Sequence, residues 1–164
     1  MTRLAALPLA LLALAAPLAA RESLGVYESW AAFRDPSPAR CYAIAKPQGS
    51  AQAPAPAPAY ATVSNWPERR VRGAVHFVLS REIAGKSAVR LSVGDKRFTL
   101  VARGRNAWAA DPQGDAAIIA AMRSSGSMSV SATSAKGGGF TDRYTLAGAA
   151  TAMDAAIVGC AKRT

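Results

Sequence analysis

Residues 89–102 read VRLSVGDKRFTLVA. Val89, Leu91 and Val93 alternate with polar neighbours, and Phe98, Leu100 and Ala102 resume the alternation after Gly94-Asp95. A period of two places the apolar side chains on one face of a pleated strand. A Gly-Asp pair between two such runs is a hairpin signal. The stretch therefore predicts two antiparallel strands with one buried face. The same period recurs upstream in Cys41–Lys46, Tyr60–Asn65 and Ala74–Ser80. Downstream it recurs in Ser127–Ala135 and Phe140–Leu146, joined by the turn Lys136-Gly137-Gly138-Gly139.

Helical periodicity is confined to two places. Asp115 is the predicted cap of a helix over Ala116–Arg123, whose apolar character nearly all round predicts deep burial. In Gly148–Ala161, Met153, Ala156, Ile157 and Cys160 fall on one stripe, so Cys160 is expected to face the core. Gly25–Arg34 carries apolar weight in Val26, Trp30 and Phe33, with Trp30 an expected anchor. Asp35-Pro36-Ser37-Pro38 is expected to stop any regular element there. Asn106–Asp111 is a short segment centred on Trp108. Six to eight short strands, two helices and no strand–helix rhythm predict a mainly β single domain, either an antiparallel sandwich or a partly open barrel.

Two stretches stand apart from that pattern. Residues 1–20 carry one positive charge at Arg3, a Leu/Ala run over Leu4–Leu14 and a small-residue ending at Leu18-Ala19-Ala20. That order reads as a secretory signal peptide, and the run falls short of the ~20 residues of a membrane span. Residues 21–164 are then the mature domain, expected to be periplasmic or secreted and without a transmembrane span. Pro47–Ala59 is Ala/Pro-rich, with no means of packing a core, and is expected to be an exposed loop between strands.

The leader holds one of the 20 basic residues and none of the 10 acidic ones, so the mature part keeps a formal charge of +9. Such a balance favours anionic partners. Outside the cytoplasm these are phospholipid headgroups, lipopolysaccharide or acidic glycans, not nucleic acid; plain solubility accounts for the same charge. Cys41 and Cys160 are the only cysteines. In an oxidising compartment they are expected to form a disulfide. Free thiols or metal ligation are the alternatives, but two cysteines and the single His76 make a poor zinc set.

No constellation for catalysis emerges. His76 lacks a nucleophile and an orienting carboxylate in any recognisable motif, and reads as a half-exposed strand histidine. Asp111 and Asp115 lie four apart, which suits a helix cap better than a glycosidase pair. Lys136–Gly139 lacks the order of a phosphate loop. The best candidate binding group is Trp66, Arg69, Arg70 and Arg72, because arginine offers a planar fork for phosphate or carboxylate and tryptophan a flat face. A solvated loop explains the same residues. No catalytic residue, metal or cofactor is expected.

Several segments also resemble the invasion-associated locus B family of secreted proteobacterial proteins. They are Cys41–Pro47, Asn106–Asp111, Thr133–Gly138, Thr141–Gly148 and the closing helix ending in Cys160. Their order matches along nearly the whole mature domain, with Gln52–Pro58 as a local insertion. The resemblance implies a β-rich periplasmic or envelope-associated protein and brings no catalytic residues. The expected function is therefore non-enzymatic binding of an anionic envelope component or an envelope protein. A secreted enzyme acting on an anionic envelope polymer is the alternative.

Overall fold

A computed structural model describes residues 20–49 and 58–161. The predicted leader, apart from Ala20, lies outside the described residues, as do residues 50–57 of the Ala/Pro-rich stretch. Ten strands form one antiparallel sheet: β1 (Glu22–Tyr27), β2 (Trp30–Pro36), β3 (Ala39–Ala45), β4 (Tyr60–Trp66), β5 (Val71–Val78), β6 (Val89–Val93), β7 (Lys96–Arg103), β8 (Asn106–Trp108), β9 (Ser127–Thr133) and β10 (Gly139–Thr145). Two helices, α1 (Pro112–Ser124) and α2 (Ala149–Ala161), complete the domain.

The strand order is β1-β2-β3-β4-β5-β8-β7-β6-β9-β10. The hairpin read from residues 89–102 is β6/β7, with Val93 opposite Lys96 across the Gly94-Asp95 turn. The sheet is open but curled. Past the end of β3, the Gln48 amide donates to the Arg143 carbonyl of β10 at 2.6 Å, forming an isolated bridge. Trp30 Nε1 on β2 donates to the Thr145 carbonyl at 3.0 Å. The sandwich-or-barrel expectation thus resolves to a single open sheet whose far strands approach each other. Trp30, Cys41, Phe77, Leu79, Leu91, Val130 and Tyr144 are buried within it.

α2 packs across β1–β4, and α1 lies against β5 and β6. The close approach of β1 to the start of α2 demands glycine at position 148. Its φ is +83°, and a Cβ there would lie 1.9 Å from the Tyr27 carbonyl oxygen. The Cys41–Cys160 disulfide is formed, with Cα atoms 5.7 Å apart, and joins β3 to the last turn of α2.

Several expectations are corrected. Ten strands form instead of six to eight, because Gly25–Arg34 folds as the β1/β2 hairpin region and Asn106–Trp108 pairs between β5 and β7. Cys41 therefore sits on the third strand. Asp111, not Asp115, caps α1: its side chain accepts from the Gly114 amide at 2.7 Å, with Pro112 opening the helix. Asp115 instead accepts from the Val75 amide at 2.8 Å, tying α1 to β5. α1 is also less buried than its composition predicts. Ile118, Ala121 and Met122 are buried, whereas Ala116, Ala117 and Ala120 are not. The α2 stripe is split as well: Met153 and Ala156 are buried, but Ile157 is 50% exposed.

Candidate functional site

Trp66 ends β4 because Pro67, which follows it, has no N–H to give the ladder. Pro67–Arg69 makes a single 3-10 turn, closed by the Arg70 amide donating to the Pro67 carbonyl at 3.1 Å. Arg70 then takes the left-handed conformation, φ 54°, which is uncommon for a residue with a side chain. The Asn65 side chain accepts from the Gly73 amide at 3.1 Å and fixes the re-entry into β5. This tight connection presents Arg69, Arg70 and Arg72 to solvent. None of the three forms an ion pair among the described residues.

The four candidate residues divide between two surroundings. The Arg69 guanidinium lies 5.0 Å from the centre of the Trp66 ring. Arg40 lies 5.1 Å from the same ring and 4.1 Å from that of Tyr42. Arg21 lies 5.7 Å from Tyr42 and 5.8 Å from Phe33. Phe33 and Tyr42 are register partners on β2 and β3, with ring centres 5.9 Å apart. The result is a run of alternating guanidinium and aromatic groups across β2, β3 and β4. A cation over an aromatic face is drawn by the ring quadrupole.

Asp35 anchors this run, accepting from Arg21 Nε and Arg40 Nη2 at 2.8 Å each. Burial pushes the Asp35 carboxyl up, but the hydrogen bonds from the two guanidinium groups outweigh it and hold the pKa below its ordinary value. Arg21 is shifted up in turn, chiefly by its hydrogen bond to Asp35. Burial raises the Tyr42 phenol. Arg21, Asp35 and Arg40 are not among the residues that sequence reasoning singles out. Arg40 and Tyr42, two apart on a strand, share a face, and that spacing is the available signal.

Arg70 and Arg72 belong instead to a cleft of about 920 Å³ between the β4–β5 connection and the two helices. Val63, Gly73, Ile119, Met153 and Ile157 supply apolar lining, and Cys160 brings the disulfide to its wall. A Cβ on Gly73 would sit 2.7 Å from Ile119 Cδ1, so glycine lets the helix close in at this point.

His76 lies on β5, half-buried, with Nε2 at 3.0 Å from Asn106 Oδ1 and the Tyr60 ring edge-on at 6.4 Å. Burial lowers its pKa and Arg40 adds to the lowering, while the Asn106 hydrogen bond opposes both. Asp111 and Asp115 are engaged with the Gly114 and Val75 backbone amides. Lys136–Gly139 is the β9/β10 turn, where the Ser134 amide donates to the Gly138 carbonyl at 2.9 Å. Among the described residues no cluster of three or more His, Cys, Asp or Glu is placed to hold a metal ion, and no helix is long and apolar enough to cross a membrane.

A curled antiparallel sheet backed by two helices, one of them stapled to the sheet by a disulfide, defines a β-rich disulfide-linked domain. Its architecture is that of a solved crystal structure, invasion associated protein B from Bartonella henselae. The two superpose with a TM-score of 0.62 at 16% sequence identity, over 86% of this chain and 99% of that one. At this identity the likeness is one of fold. No protein-family model matches the sequence, and no curated protein matches it.

Proposed function

We propose that the protein is a non-enzymatic, periplasmic or secreted envelope protein of the invasion-associated locus B type, which binds an anionic envelope component through the Trp66–Arg72 connection. The observation that carries this reading is the concentration of exposed guanidinium groups there, none of them in an ion pair among the described residues. Arg69 and Arg70 sit at the turn and Arg72 at the start of β5, next to a surface where Arg21 and Arg40 already stack on aromatic rings. Arginine forks suit phosphate and carboxylate oxygens. The signal-like leader, the disulfide and the shared fold support the extracytoplasmic location.

The test is co-sedimentation with phosphatidylglycerol vesicles and with lipopolysaccharide at low and high salt. The wild type is compared with an Arg69→Ser/Arg70→Ser/Arg72→Ser variant. Wild-type binding should fall with salt, because exposed charges are screened beyond ~8 Å at physiological ionic strength, and the variant should bind less at low salt. Equal binding by both proteins, or none by either, overturns the reading. The cleft supports a second reading, a secreted enzyme acting on an anionic envelope polymer. Against it, the lining residues include no carboxylate, histidine or nucleophilic hydroxyl among those described.

A further inference from the structure

We infer that the cleft between α1, α2 and the β4–β5 connection is a site for the acyl chain of a single-chain anionic amphiphile, with Arg70 and Arg72 holding its charged head. The inference rests on the proposed function and narrows it from anionic surfaces in general to one ligand class. Its basis is a mismatch between composition and exposure. Ile157 is 50% exposed and Val71 38% exposed, and both line the cleft. Apolar side chains left open to water in a concave site mark a place where an apolar ligand is favoured. The volume, about 920 Å³, falls within the ~300–1,000 Å³ usual for small-molecule sites.

The shape follows from the sequence of the helices. Ala116 and Ala120, one turn apart, give α1 a wall of minimal bulk, so the cleft stays open beside Ile119. Met153, Ile157 and Cys160 repeat at helical spacing on the facing wall. Arg123 of α1 and Asp154 of α2 form an ion pair at 2.6 Å, which joins the helices and leaves Arg123 neutralised. Arg70 and Arg72 are the lining charges without such a partner among the described residues.

This charge arrangement selects the occupant. A second copy of the chain would bring the same excess of positive charge, which repels. Lys162, Arg163 and Thr164, which follow the last turn of α2, are too polar to satisfy the apolar lining. An acyl chain with a phosphate or carboxylate head matches both halves of the site.

Titration calorimetry with the full mature protein tests the assignment, using dodecyl phosphate below its micellar concentration. Inorganic phosphate and dodecyl maltoside serve as the head-only and uncharged-head probes. Dodecyl phosphate should bind at least about tenfold tighter than either, since affinity needs both burial and charge-assisted hydrogen bonds. Ala120→Trp fills the cleft from an unburied position and should abolish binding. Ala117→Trp, also unburied but outside the cleft, should leave it unchanged. Arg70→Asn/Arg72→Ser should weaken dodecyl phosphate at least about tenfold and leave dodecyl maltoside unaffected; asparagine suits the left-handed backbone at position 70. Wild-type affinity in Ala120→Trp, or equal affinity for dodecyl phosphate and dodecyl maltoside, overturns the inference. If dodecyl phosphate fails to bind while Arg-dependent vesicle binding persists, the cleft assignment falls and the broader reading stands. Loss of vesicle binding as well removes both.

Discussion

Opening the Cys41–Cys160 disulfide should remove a large share of the domain's stability. The bond spans 119 positions of sequence. In the chain-entropy model, closing a loop of that length restricts the unfolded ensemble by about 5 kcal/mol at 25 °C. A domain of this size has about 5–15 kcal/mol in all. Reduced wild-type protein keeps both sulfur atoms in place, so it isolates the loop term. Cys41→Ala/Cys160→Ala adds a packing loss at Cys41, which is fully buried. The assay is urea unfolding followed by tryptophan fluorescence, for which Trp30, 1% exposed, is the core reporter. With a urea slope of about 1.5–2 kcal/mol per M, the midpoint of the reduced protein should fall by about 2.5–3.3 M, and that of the alanine pair slightly further. A fall under about 0.5 M in the reduced protein would refute the argument. It would mean that the unfolded chain already keeps β3 and α2 together, or that the native bond is offset by a native-state cost of similar size.

The buried Tyr144 hydroxyl has no hydrogen-bond partner among the described residues. Such a group costs about 1–3 kcal/mol, so Tyr144→Phe should raise the thermal midpoint or leave it unchanged; a clear fall would reveal a partner for the hydroxyl. His76 should make the fold acid-sensitive. Its folded pKa lies below the unfolded value of 6.5, so the unfolded chain binds the proton more readily. The His76 contribution is complete above pH 6.5 and is lost as pH falls through 6.5 towards the folded value. Denaturant midpoints of wild type and His76→Gln from pH 7.5 to 5 should therefore diverge, with the wild type losing more; parallel curves would contradict it.

The parts of the fold set by local alternation are legible in the sequence. Val89–Val93 and Phe98–Ala102 flank a Gly-Asp turn, so strand, face and pairing all follow from fourteen consecutive residues. The disulfide is legible for another reason: with only two cysteines in the chain, the choice of partner is forced. The guanidinium–aromatic run is not, because it needs the register of β2 against β3, which sets Phe33 beside Tyr42 and brings Asp35 to Arg40. The pairing is local, across the two-residue Ser37-Pro38 connection, but Asp35-Pro36-Ser37-Pro38 reads as a stop signal and hides the hairpin. The α1 cap has a local signal in Asp111-Pro112, a cap followed by proline at the first helical position, whereas Asp115 competes for the same reading and is engaged by a strand four elements upstream. Alanine-rich composition misleads the burial expectation for α1, since alanine is at home on either face of a helix. Of the candidate binding residues, the sequence groups Trp66 with three arginines; only three-dimensional structure separates Arg69 on the stacked surface from Arg70 and Arg72 in the cleft.

β1 forms one border of the sheet, and pairing stops there. Unpaired backbone along a border strand is a template on which another chain can add. Here the ladder is broken: Ser23 pairs with Phe33 and Gly25 with Ala32, leaving Leu24 outside the register. Leu24 instead packs against the core beside Gly159, so close that a Cβ on Gly159 would lie 2.4 Å from Leu24 Cδ1. One extra residue thus supplies an anchor for α2 and denies an incoming strand an uninterrupted row of donors and acceptors. One border of the sheet is thus guarded against edge-to-edge pairing by the irregularity of a single strand. Shortening that strand by one residue would straighten the border, free the leucine and convert a guarded margin into a surface for sheet-to-sheet polymerisation.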